Sequence, residues 1–179
     1  INKEKEDFAN EIVFGSLKDS ECNEKVISFY AKILLEKSNT NLAIDLLKKA
    51  LEVNPISIIL LSNMGYILQS LKRYEISIEY YKRALRLKSD DAIILFNIAN
   101  CYEEIFDYGS AINFYKKSLL NNSNNPEAYR ALGTIYFNQR DLKLAKKYLE
   151  KCLLIDNKNS GALMTLMQLS ADICKWELV

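Results

Sequence analysis

The sequence predicts an all-α fold, a solenoid of paired amphipathic helices. Three observations point there. Apolar residues recur at helical spacing along almost the whole chain. Only 5 Gly and 2 Pro occur in 179 residues, too few for long loops or a sandwich of short strands. Residue types also repeat every 34 positions with no insertion or deletion. The period is densest in Tyr129–Leu153, which reads as two amphipathic helices joined by a short polar turn.

In chain order, Glu6 to about Asp19 holds Phe8, Ala9, Ile12, Val13, Phe14 and Leu17 at helical spacing, as the second helix of a pair. Four complete repeats follow, 24–57, 58–91, 92–125 and 126–159. Residues 1–23 and 160–179 form partial repeats, and the whole is expected to be one domain. Small residues align in three columns: Ala31, Gly65, Ala99 and Gly133; Ala43, Ser77, Ala111 and Ala145; Ala50, Ala84, Ser118 and Cys152. Small side chains let paired helices approach closely. Beside them Leu51, Leu85, Leu119 and Leu153 are expected to be the large knobs, while Leu61, Leu95, Tyr129 and Leu163 fill the space between hairpins. Polar stretches at Lys37–Asn41, Lys72–Tyr74, Phe106–Tyr108 and Gln139–Asp141 interrupt the pattern where the helices of a pair join. Pro55 and Asn121–Pro126 mark joints between pairs, with Pro126 suited to a first helical turn. In the last segment Met167 enters the small column and Ser170 replaces an aromatic residue, as in a capping repeat.

The pattern Tyr129-x-x-Leu132-Gly133-x-x-Tyr136, then Ala145-x-x-x-Leu149, with its 34-residue period, resembles the tetratricopeptide repeat (TPR) family. The resemblance implies a right-handed superhelix whose first helices line a concave groove for an extended peptide or a partner helix. Groove-facing places then fall at Phe29 and Lys32, at Asn63 and Tyr66, at Phe96, Asn97 and Asn100, and at Arg130 and Phe137. Lys25, Ser28 and Glu36, then Ile59, Ser62 and Gln69, then Ile93, Glu103 and Glu104, and then Glu127, Thr134 and Asn138 accompany them. Asparagine can bond main-chain N–H and C=O, and rings can pack side chains. The TPR type that grips chaperone tails is not expected, because Lys32 stands where it needs Asn and Asn97 where it needs Arg.

Asn63 and Asn97 share one column and are similar to the asparagine ladder in the TPR arm of O-linked N-acetylglucosamine transferases. Cys174-Lys-Trp176 resembles the close of that array, with Trp176 at the last hairpin turn, where Tyr74 and Tyr108 also sit. The resemblance thus implies a protein-interaction module that binds a protein or peptide partner. The alternative is the substrate-recognition arm of a glycosyltransferase of that kind, and a subunit of a fixed multiprotein complex is a third reading.

Bulk properties narrow the chemistry. With 24 Lys+Arg against 23 Asp+Glu, the net charge of +1 gives no long-range pull toward nucleic acid or an anionic membrane, and neither is expected as a partner. The longest apolar runs are too short to span a bilayer. Histidine is absent, which excludes Ser-His-Asp and Cys-His catalysis and His-containing zinc sites within this chain. No glycine-rich phosphate cradle occurs, so no cofactor, metal or catalytic residue is expected. The cysteines, Cys22, Cys101, Cys152 and Cys174, lie far apart with no C-x-x-C pair. That usage fits a reducing intracellular compartment, cytoplasmic or nuclear. Cys152, in a small-residue column, reads as a buried small hydrophobe. The basic stretch Arg140, Lys143, Lys146, Lys147 and Lys151 reads as a solvated outer face, with a site for an acidic partner as the alternative. Ile1–Asn10 is highly charged with no apolar stretch, so no signal peptide is expected there, and a start at Ile in place of Met is expected of a piece of a longer protein.

Overall fold

A computed structural model describes residues 24–176 together with Gly15, with side chains as far as Asp172. The second helix expected at 6–19 and the thiol of Cys22 lie outside the described residues, as do the side chains of Cys174 and Trp176. Regular structure among the described residues is entirely helical. It divides into two compact units, Ile1–Ser89 and Asp90–Val179. The first unit holds α1 (Glu24–Glu36), α2 (Thr40–Val53), α3 (Ile58–Ser70) and α4 (Tyr74–Leu87). The second holds α5 (Ala92–Glu104), α6 (Tyr108–Asn121), α7 (Pro126–Asn138), α8 (Leu142–Ile155) and α9 (Ser160–Trp176).

Side-chain caps set where the first helix of each pair begins. Ser57, Asp91, Asn125 and Asn159 stand one period apart. Each accepts from the backbone N–H three residues on, at 3.1 Å from Leu60, 3.2 Å from Ile94, 3.2 Å from Ala128 and 3.1 Å from Ala162. These bonds satisfy amides that a helix start would otherwise leave unpaired. Pro126 follows Asn125 at the first position of α7, where its missing N–H costs nothing. Among second helices, Asp107 and Asp141 cap α6 and α8 by accepting from Ser110 and Leu144, each at 3.0 Å. The bonds from Ser110 hold the Asp107 carboxyl below its ordinary pKa.

The turn inside each pair is one repeated backbone device. Ser38, Lys72, Phe106 and Arg140 all take positive φ, between 59° and 65°, the left-handed region that usually calls for glycine. Two hydrogen bonds lock each turn. Around Lys72, its own N–H reaches Gln69 O at 2.9 Å and the Arg73 N–H reaches Leu68 O at 2.9 Å. The same pair of bonds closes the turns at Ser38, Phe106 and Arg140. This is the helix-ending motif in which two late carbonyls find partners beyond the last turn.

Between the helices of a pair, the expected small residues are in place. Ala43, Ser77, Ala111 and Ala145 are fully buried, as are Ala50, Ala84, Ser118 and Cys152. Where such a residue is polar, it finds a carbonyl on the facing helix: Ser77 Oγ donates to Gly65 O at 2.7 Å, and Ser118 Oγ donates to Ala92 O at 2.8 Å.

At the glycines of the first small column, the side chain that closes on the gap is Tyr81 at Gly65 and Leu149 at Gly133. Leu51 is buried, and Leu119 and Leu153 pack partly buried against the core. A Cβ added at Gly65 would lie 2.7 Å from the Tyr81 ring, and one at Gly133 would lie 2.6 Å from Leu149 Cγ.

The end of the chain departs from expectation twice. Trp176 does not begin a second helix after a turn, because α9 stays helical through it. Leu163 is exposed instead of filling a space between hairpins, and Met167 is 73% exposed. Among the described residues no second helix folds back on α9, so nothing there requires a small residue. The helix is anchored elsewhere: Ala162 packs with Leu149 and Cys152, and Asp172 bonds Arg140 at 2.8 Å.

Gly133→Leu should therefore lower stability by on the order of 1–3 kcal/mol or more, read as a fall in melting temperature. Lys72→Gly should act the other way, raising stability by up to about 1 kcal/mol through release of left-handed strain.

Candidate functional site

The groove-facing candidates lie on first helices in both units, and each unit is described by itself. In the first, Phe29 and Lys32 on α1 are exposed, Phe29 by 67%. On α3, Asn63 is half-buried and Tyr66 is 49% exposed, with Ile59 also outward. The described part of α3 contains no charged residue, so its outward face is apolar and amide in character. Ser28 and Ser62, at one register position of α1 and α3, have buried hydroxyls with no hydrogen-bond partner. A buried unpaired hydroxyl costs about 1–3 kcal/mol, so these two serines weaken the packing where they stand.

In the second unit, several candidates already have internal partners. The Phe96 ring sits 5.6 Å from the Tyr115 ring at a tilt of 57°. Asn97 is half-buried, and Phe137 packs against the hydrophobic core of this unit. Asn100 Oδ1 lies 2.6 Å from the Tyr115 hydroxyl, and Glu103 Oε2 lies 2.5 Å from the same oxygen. One O–H cannot donate to both. The charged carboxylate is the stronger acceptor, so the Tyr115 proton goes to Glu103 and the Asn100 oxygen stands beside the hydroxyl as a competing acceptor. Burial first, and then the Glu103 charge, pushes the phenol pKa far above its ordinary value.

This network was not anticipated from the sequence, although a signal existed. Tyr81 and Tyr115 share a column, as do Gln69 and Glu103, and Tyr81 donates to Gln69 Oε1 at 3.0 Å in the first unit.

Arg130 is likewise engaged, its Nε donating to Glu127 Oε2 at 2.7 Å. Asn159 Nδ2 donates to the other Glu127 oxygen at 2.8 Å. Burial pushes the Glu127 carboxyl up, but the bonds from Arg130 and Asn159 and the Arg130 charge outweigh it, and the pKa is lowered. These groups line an open polar cavity of about 430 Å³ with Asp156, Lys158 and Gly161. Two acids and two bases leave it with no net charge.

Cys101 and Cys152 are buried and form no disulfide, and burial pushes the Cys152 thiol up, away from reactivity. No group of metal-ligating side chains occurs among the described residues. No described helix is long and apolar enough to cross a membrane.

Comparison with known proteins agrees with this architecture. A tetratricopeptide repeat model matches residues 56–119, and a second matches residues 126–159. The chain carries tetratricopeptide repeats. Solved structures with this repeat fold superpose on most of the chain. One of MamA shares 19% identity at a TM-score of 0.75, over 87% of this chain and 81% of MamA. Another, of Pseudomonas aeruginosa PilF, shares 22% identity at 0.76, over 86% of this chain and 70% of PilF. YrrB, described as a TPR protein with an unusual peptide-binding site, shares 16% identity at 0.72, over 90% of this chain and 81% of YrrB. No curated protein matches in sequence. At these identities the likeness establishes the all-α TPR solenoid fold and no further property.

The Glu127 clamp sets an acid-side signature for this TPR chain. A carboxylate whose folded pKa is depressed stabilises the fold above its unfolded pKa, and that contribution disappears as pH falls through the folded value. Melting temperature should drop as the pH is taken below the ordinary carboxylate range of about 4, and Glu127→Gln should flatten that drop. An acid limb identical in the variant would show that the clamp contributes nothing.

Proposed function

We propose that this chain is a protein-interaction module, binding a peptide or partner helix along the outward faces of its first helices. The observation that carries the reading is the pairing, on those helices, of outward apolar side chains with amides that remain half-accessible. Phe29, Ile59 and Tyr66 project outward, and Asn63 and Asn97 stand at one register position of α3 and α5. Rings of this kind hold ligand side chains, and amides bond ligand backbone. The tetratricopeptide repeats, and the peptide-binding site named for YrrB, support the same reading.

Within this proposal the nine site residues divide into two groups. Phe29, Lys32, Asn63, Tyr66 and Asn97 are the contacts, whereas Phe96, Asn100, Arg130 and Phe137 shape the face through their internal partners. We further propose that the repeats act as one array in a reducing, intracellular setting, cytoplasmic or nuclear, consistent with the buried thiols of Cys101 and Cys152. The reading as a substrate-recognition arm of a glycosyltransferase rests on Asn63 and Asn97 alone, since the side chains of Cys174 and Trp176 lie outside the described residues.

Peptides selected from a displayed library against the parent chain provide the probe. Replacing Asn63 and Asn97 together with Ala should weaken the selected peptide by about tenfold or more, with circular dichroism unchanged. Unaltered affinity in the double variant would overturn the first-helix binding face.

A further inference from the structure

The second helices of the second unit carry a positive surface that its first helices lack. α6 contains Lys116 and Lys117 and no acid, while α8 contains Lys143, Lys146, Lys147 and Lys151 against Glu150 alone. Lys146 lies 3.9 Å from Glu150. Lys143, Lys147 and Lys151, four residues apart, share one stripe of α8.

Aromatic rings join this stripe to α6. Lys116 Nζ sits 5.6 Å from the centroid of Tyr136, which stacks on Tyr148 at 5.5 Å and 11°. Tyr148 lies 6.3 Å from Tyr129, and Lys151 Nζ is 5.6 Å from the Tyr129 centroid. Three rings are thus flanked by an ammonium at each end. Lys117 is held over Phe114 at 5.4 Å in the same way. Charges already ordered by rings lose less side-chain freedom when a partner arrives. The bond with the Tyr136 hydroxyl raises the Lys116 pKa, with burial acting against it, so this ammonium stays charged at neutral pH.

Two large leucines complete the surface. Leu120 and Leu154 are 84% and 85% exposed, and they occupy one register position of α6 and α8. A single exposed leucine is ordinary. Here two of them recur at the period of the repeat, each one helical turn beyond a ring-held lysine, and so form a combined cationic and apolar ledge.

We propose that the α6–α8 face docks an acidic, leucine-bearing segment of a partner protein, with its carboxylates on Lys116, Lys147 and Lys151 and its apolar side chains on Leu120 and Leu154. Charge complementarity selects the acid. Nucleic acid fits poorly, because the rings face one another or a lysine and Tyr136 is nearly buried, leaving no open ring for a base to stack on. A net charge of +1 also gives little long-range attraction for a polyanion. A bilayer surface needs a continuous apolar helix face, and here the leucines are separated by charge. The surface lies on second helices, so it stands or falls independently of the first-helix binding face.

The test uses a labelled peptide of glutamates with leucines at helical spacing, titrated by fluorescence anisotropy into the intact chain. Binding should weaken as salt rises. The combination Lys116→Glu, Lys147→Glu and Lys151→Glu should reduce affinity by about tenfold or more. Binding of library-selected first-helix peptides should be unchanged in that variant. Leu120→Ser with Leu154→Ser, at positions too exposed to disturb folding, should weaken the acidic peptide as well, and both leucine methyl resonances should shift when it binds. Parent-like affinity in both sets of variants would overturn the proposal. So would lysine-dependent binding of phosphatidylserine vesicles, or of a single-stranded oligonucleotide, by a chain that ignores the peptide.

Discussion

Each hairpin depends on how closely its two helices can approach. At Gly65 and Gly133 the first helix has no side chain, and the space a Cβ would occupy is taken by Tyr81 or Leu149 from the second. Ala31 and Ala99, equally buried, hold the same column in the other two hairpins. The close approach lets the Ser77 hydroxyl reach the Gly65 carbonyl, so a polar residue sits at full burial without an unpaired donor. It also brings a ring from the second helix up to the groove-facing side chains of the first, at Phe96 and Asn100. Packing inside the hairpin and chemistry on its surface are therefore coupled through one column of residues.

That coupling gives the two units different characters. In the first, Ser28 and Ser62 share a register position and bury hydroxyl oxygens without a hydrogen-bond partner. In the second, the same register holds Phe96 and Arg130, one against Tyr115 and the other bonded to Glu127. A residue chosen by position alone as a ligand contact is thus free to serve in one repeat and committed to the scaffold in the next.

The fold was legible because its determinants are local and periodic. The small columns, the polar interruptions and Pro126 could each be read from residue type and spacing, and each maps onto a cap, a turn or a close contact. Spacing did not single out Tyr81 and Leu149 as the side chains that close on Gly65 and Gly133, since they stand one helical turn from the leucine column. The extension of α9 through Trp176 was missed for a related reason: a turn is imposed by the helix that folds back, and none does so among the described residues. The candidate site was less legible. Whether Asn100 or Arg130 is available depends on partners 15 residues away in Tyr115 and 3 away in Glu127, and those pairings become visible only once the helices are placed.

The intra-hairpin turns show how little this backbone asks of some side chains. A serine, a lysine, a phenylalanine and an arginine adopt one left-handed conformation at matching places, held by the same two main-chain bonds. The geometry there is written in the peptide groups, and the side chain is left for other uses, as where Arg140 bonds Asp172 and Phe106 meets Tyr108 edge-on. Ser38 and Lys72, both exposed, are matching mounting points on which a spectroscopic label or a crosslinker would stand in one known orientation, away from the packing column.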